Sequence, residues 1–219
     1  MIRLVVFDFD GTLVDSNGLK RDCMSKVVAP FPGGEAALQA ALRGDGDRYV
    51  IFDEVARKLD RQGDPDHVRG QARAMIARYT HCCAQGIAAA PERRGARSTL
   101  AALKERDMAV WIASATPQRD LLPILRRRGL MRYLDGALGK PASKVANLRK
   151  AMREARVGPR QTLMVGDGPD DLAAARAVGA WFFAITAEQR IAEAVRFASR
   201  DLRGLLSLMD RLFPRPRRA

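Results

Sequence analysis

The chain predicts a three-layer α/β protein, a parallel β-sheet covered by helices on both faces, with a small helical insert after the first strand. Three observations predict it. Short apolar runs recur at residues 2–8, 108–114, 161–167 and 181–186, and the first three end in polar or acidic residues. Helical spacing separates the later runs, which is the alternation of a parallel sheet. Residues 16 to about 92 instead offer helical stretches and no convincing strand.

The run 2–8 (IRLVVFD) is β-branched, continuous and short, as expected of a strand buried on both faces. The runs MAVWIAS and QTLMVGD repeat that design, and WFFAIT is a fourth apolar strand. Between them, residues 117–129 place Leu121, Leu122 and Leu125 on one side of a helix, and 144–156 do the same with Leu148, Ala151, Met152 and Ala155. Residues 170–178 form a short Ala-rich helix, and 188–212 have helical periodicity before a basic, frayed tail. Helices are expected in the insert near 18–29, 34–43, 47–62 and 65–84, punctuated by Gly and Pro. The domain reading is therefore a Rossmann-like core of residues 1–15 and 93–219, with 16–92 as a helical cap over the strand ends. In such sheets ligands bind beyond the carboxyl ends of the strands.

With 219 residues and 47% hydrophobic content, the chain can build one substantial core. No apolar run reaches the 18 residues of a membrane span, and the N-terminus does not read as a secretory signal. Three cysteines, Cys23, Cys82 and Cys83, give an odd count with two adjacent; they do not suggest a disulfide framework, and a cytoplasmic setting is expected. His81 beside the cysteine pair lacks a fourth ligand for a metal cluster, so buried helix positions are the better reading. The formal charge of +13 is spread along the chain. Without aromatic interleaving or a nucleic-acid motif, it reads as solvated surface with a general attraction for phosphorylated molecules. No specific nucleic-acid or membrane partner is expected, and no oligomeric state is specified.

The strongest local signal is Asp8-Phe9-Asp10-Gly11-Thr12-Leu13. Carboxylates at the end of an apolar strand are costly unless a cation or donors compensate them. Hard oxygen ligands suit Mg²⁺, which keeps waters and also binds phosphate. Gly11 permits the sharp exit from the strand, and backbone amides and the Thr12 hydroxyl are placed to meet phosphate. Ser114, in Ala113-Ser114-Ala115-Thr116-Pro117, ends the second run, where its hydroxyl serves either a phosphoryl oxygen or a helix cap. Lys144 starts a helix, where a cation opposes the dipole unless carboxylates or phosphate pair with it. Gly166-Asp167-Gly168-Pro169-Asp170-Asp171 closes the third run; Asp167 and Asp171 are spaced to face one site, with Asp170 turned away as a cap.

These four segments, in this order, resemble the motifs of the haloacid dehalogenase-like hydrolases, and phosphatase-like members with a small helical cap most of all. The resemblance spans residues 1–16 and about 95–186. It implies Asp8 as nucleophile, Asp10 as general acid and base, and Asp8, Asp167 and Asp10 (through its backbone carbonyl) as Mg²⁺ ligands. It implies phosphate contacts from Gly11, Thr12, Ser114, Ala115 and Lys144, with Asp171 in support. The substrate would be a small phosphorylated metabolite. Spacing favours Lys144 over Lys140 as the site lysine. In the cap, Arg48 and Tyr49 are candidates to meet a substrate anion, against the plainer reading of Asp47 as helix cap and Tyr49 and Phe52 as core anchors. Asp10 argues against a dehalogenase; a phosphomutase remains open, as does a non-catalytic anion or nucleic-acid binder. No Gly-x₄-Gly-Lys-Ser/Thr loop is present for a P-loop enzyme.

Overall fold

The computed structural model describes residues 1–44, 46, 48–60, 63–186, 192–193 and 195–212. The chain divides into two compact units, one of residues 1–15 with 90–219 and one of residues 16–89.

The first unit is a three-layer α/β core. Its sheet comprises β1 (Leu4–Phe7), β2 (Ala109–Pro117), β3 (Gly136–Lys140), β4 (Thr162–Gly166), β5 (Trp181–Ile185) and β6 (Ala198–Ser199), in the order β3-β2-β1-β4-β5-β6. Every pairing is parallel, with Phe7 opposite Ile112 on one side and Val165 on the other. All four residues of β1 are buried, which explains its continuous apolar sequence. On one face Leu4, Val6, Ala113, Met164 and Ala184 pack with Leu148, Ala151 and Ala175. The last three belong to α7 (Lys144–Glu154) and α8 (Pro169–Val178). Two more helices, α5 (Ala96–Lys104) and α6 (Gln118–Arg127), pack against β2, and α9 (Arg203–Leu212) packs on α5. The strand order reverses between β1 and β4, the switch point at which doubly wound sheets open a crevice for ligands.

Three expectations change here. The second strand does not end at Ser114: it runs to Pro117, with an irregular register against β3 between Ala113 and Pro117. Strand β3 was not anticipated, because its sequence GALGK has little β-branched character; Gly136 is required there, since a Cβ would lie 2.3 Å from the Trp111 ring. The segment 188–212 is not one helix. Its described part holds β6 and then α9, while residues 188–191 and 194 lie outside the described residues.

The second unit consists of α1 (Asn17–Val28), α2 (Gly34–Ala41), α3 (Arg48–Leu59) and α4 (Pro65–Ala89) among the described residues. Phe52 is fully buried and its ring lies 5.5 Å from that of Tyr79, pinning α3 to α4. Tyr49 is 49% exposed and so is not the core anchor expected of it, while the Arg48 guanidinium lies over the Tyr49 and Tyr79 rings. Asp47, expected as the cap of α3, lies outside the described residues. The cysteines also depart from expectation. Packing of α1 on α4 brings Cys23 and Cys82 together as a disulfide, with Cα atoms 5.8 Å apart, and Cys83 is the buried free thiol. Their separation of 59 residues gave no local sign of the pairing.

Candidate active site

The site is built at the carboxyl ends of the central strands. β1 delivers Asp8 to the sheet edge, and its backbone N–H donates to the Val165 carbonyl of β4 at 2.8 Å. The chain then turns sharply. Gly11 has φ +90°, a left-handed conformation open to glycine at little cost, and its N–H donates to the Val14 carbonyl at 2.8 Å. The Leu13 and Val14 amides both return to the Phe9 carbonyl. This tight loop holds Asp10 and buried Thr12 next to Asp8, and the Thr12 hydroxyl donates to Asp167 Oδ1 at 3.2 Å.

Lys144 is the first residue of α7, behind Ser143, whose hydroxyl accepts the Ala146 N–H. Its ammonium donates to Asp8 Oδ1 at 2.9 Å and also to Asp171. The loop bearing it is anchored from β3: Gln118 accepts the Gly139 N–H and donates to the Ala137 carbonyl, and Asn147 donates to the Gly139 carbonyl. Lys140, the alternative lysine, ends β3 itself.

Asp171 has two partners. Oδ1 receives Lys144, and Oδ2 accepts the Gly168 N–H at 3.1 Å, capping α8. The cap is thus Asp171 and not Asp170, which is exposed. Gly166 makes this possible, because a Cβ there would come within 2.3 Å of the Asp171 carboxyl carbon.

Asp8, Asp167 and Asp171 present carboxylate oxygens that all lie within 4.8 Å of one another. Asp8 and Asp171 are 4% and 2% exposed. Burial, opposed by Lys144 and reinforced by Asp171, Asp167 and Asp10, pushes the Asp8 carboxyl up to about 8. Burial likewise raises Asp171, against the lowering pull of Lys144. Burial alone would lower Lys144, but the two carboxylates outweigh it and hold its pKa above the usual lysine range. Three acids, two of them buried, against one lysine leave an excess of acidic groups whose negative charge a divalent cation would neutralise. Two bonds of about 2.1 Å to one Mg²⁺-sized ion place oxygens up to about 4.2 Å apart, so small side-chain rotations would suffice. The donor set therefore fits a hard divalent metal.

The Asp10 carboxylate lies apart from that trio. Its Oδ2 accepts the Thr116 hydroxyl at 2.6 Å. Ser114 Oγ accepts the Thr116 N–H at 3.0 Å and keeps an O–H to donate elsewhere. Ala115 is exposed beside it. Thr116, Gln118 and Asn147 were given no role from sequence. Their spacing carries no periodic signal, because each acts across the chain from a partner 8 to 106 residues away.

An α/β sheet with acids and one lysine gathered at its carboxyl rim defines a class of enzymes that handle anionic substrates beside a metal. Within it, the family model described as haloacid dehalogenase-like hydrolase matches residues 2–179, and the chain belongs to that family. The chain is 29% identical over 191 residues to phosphoglycolate phosphatase 1 of Pseudomonas aeruginosa, covering 84% of this chain and 69% of that protein. It is 32% identical over 188 residues to phosphoglycolate phosphatase of Rhodospirillum rubrum, covering 82% and 77%. Among solved structures, one from Haemophilus somnus described as a predicted phosphoglycolate phosphatase superposes with a TM-score of 0.72 at 21% identity, covering 95% of this chain and 98% of that one. That likeness concerns the fold.

Proposed function

We propose that this chain is a Mg²⁺-dependent phosphatase that hydrolyses a small phosphomonoester through an aspartyl-phosphate on Asp8. The observation that carries the reading is the Asp8 carboxylate itself: buried at the end of the central strand, 2.9 Å from Lys144 Nζ and clustered with Asp167 and Asp171.

Asp8 attacks phosphorus in line with the ester oxygen, forming the Asp8 O–P bond as the P–O bond to the leaving group breaks. Asp10 gives its proton to the departing oxygen. Water then attacks phosphorus, Asp10 takes the water proton, and the Asp8 O–P bond breaks to release phosphate. Lys144, the Ser114 hydroxyl and backbone amides around Gly11, Thr12 and Ala115 bind the equatorial oxygens. Asp171 fixes the Lys144 ammonium through their ion pair. Asp8, Asp167 and the Asp10 backbone carbonyl would hold the metal. When bound, it supplies positive charge that offsets repulsion between the Asp8 carboxylate and phosphate.

The helical unit is assigned the role of substrate-selecting cap. The similarity to phosphoglycolate phosphatases makes 2-phosphoglycolate the first substrate to test. The test is phosphate release from a panel of phosphorylated metabolites with Mg²⁺. Activity is expected to vanish with EDTA and to fall about 10³-fold or more in Asp8→Asn. Undiminished turnover by Asp8→Asn would remove the nucleophile and the reading with it.

A further inference from the structure

The irregular end of β2 suggests a residue that sets the geometry of proton transfer. Between Ala113 and Pro117 the strand spans four steps while its partner β3 spans two, from Leu138 to Lys140. The surplus residues bulge, and bulges beside active sites re-aim side chains. Ser114 Oγ fixes this bulge by accepting the Thr116 N–H. The Thr116 hydroxyl is thereby brought to Asp10 Oδ2 at 2.6 Å, across 106 residues of sequence.

We infer that Thr116 is a positioning residue for the proton-transfer group: its hydroxyl holds one oxygen of Asp10 so that the other, Oδ1, exchanges protons with the leaving group and then with water. This rests on the phosphatase reading above and deepens it. The chemistry is consistent in both half-reactions. With the carboxyl protonated on Oδ1, Oδ2 is carbonyl-like and accepts from the threonine. With the carboxylate ionised, Oδ2 accepts the same hydrogen bond. A single rotamer therefore serves donation to the ester oxygen and abstraction from water. Misplacement of a reacting group by about 1 Å can cost on the order of 10² in rate. Thr116 makes no described hydrogen bond to the Asp8, Asp167 and Asp171 trio, and its hydroxyl meets the Asp10 carboxylate rather than the Asp10 backbone carbonyl.

The test compares two phosphate esters. The p-nitrophenolate group departs without protonation, whereas the alkoxide leaving 2-phosphoglycolate needs the proton from Asp10. Thr116→Val keeps the shape, and the backbone at 116 stays anchored by Ser114. It is expected to slow single-turnover release of the leaving group from 2-phosphoglycolate about 10- to 100-fold and from p-nitrophenyl phosphate less than about 3-fold, because only the first of these departures needs the Asp10 proton. Thr116→Ser, which restores the hydroxyl, is expected to recover most of the loss. Equal losses on both esters, no loss on either, or failure of serine to restore the difference would overturn the assignment while the phosphatase reading stands. If the unaltered protein released phosphate from neither of these esters nor from any member of the metabolite panel, the phosphatase reading would fall and the role of Thr116 with it.

Discussion

The core unit and the helical unit secure their own folds by different means. In the core, a sheet buried on both faces supplies the stability, and the unfavourable features, buried like charges and a bulged strand, are concentrated at one rim. The helical unit has no sheet among its described residues. It relies on helix pairs, on the Phe52–Tyr79 contact and on a disulfide between α1 and α4. The difference teaches where chemistry is to be sought. In the core, buried acids and a lysine are gathered at one rim, which marks a site; in the helical unit the buried residues described are mostly apolar.

Substitution of Lys144 should test this contrast most severely. Lys144→Met leaves Asp8 and Asp171 buried without their cation. It is expected to reduce phosphate release by about 10² or more, and to destabilise the metal-free protein by about 3–5 kcal/mol in chemical denaturation. A variant with unchanged stability and rate would show that the rim is not the strained region described here.

The helical unit offers the counterpart. Closing a loop over the sequence separation of 59 from Cys23 to Cys82 removes unfolded-chain entropy worth about 4 kcal/mol. Cys23→Ser, or reduction, is therefore expected to lower the stability of the helical unit by up to that amount, read by urea unfolding with and without reductant. The Asp8→Asn rate defect should show no comparable response to reductant.

A gentler probe is pH. Asp8 in the metal-free fold titrates near 8, well above the 3.8 of an unburied aspartate. A raised carboxyl pKa contributes stability that is complete below pH 3.8 and lost as pH rises towards 8, because the fold must then hold the charged form. Melting of the EDTA-treated protein is thus expected to weaken between pH 5 and about 8, and the stabilisation by Mg²⁺ to grow over that interval. Asp8→Asn should flatten both trends, and a Mg²⁺ effect independent of pH would contradict them. The smallest effect is expected from Tyr49→Ala, within about 0.5 kcal/mol in thermal unfolding, against about 3–5 kcal/mol for Phe52→Ala. Equal losses would mean that the exposed tyrosine is a core residue after all.

Much of this rim was legible in the chain. Asp8, Lys144 and Asp167 could be named because each ends or begins an element whose apolar pattern is plain, so their convergence follows from parallel topology. The helices of the insert were legible through the Gly and Pro residues that separate them. What could not be read depended on contacts between distant residues. Thr116 reaches Asp10 only because β2 bulges past Ser114, and nothing in Ala-Ser-Ala-Thr-Pro announces a bulge. Cys23 meets Cys82 only once α1 packs on α4. β3 was hidden because its two glycines, Gly136 against the Trp111 ring and Gly139 against the backbone of Thr116 and Gln118, are poor strand formers.

Asp171 carries one last implication. One of its oxygens grips the Lys144 ammonium while the other ties down the amide at the start of α8. Whatever alters the charge balance at the rim must therefore tug on the start of a helix. The Gly168 amide becomes a natural reporter, and its NMR shift or exchange rate should follow ligand arrival in solution without any label placed near the reacting atoms.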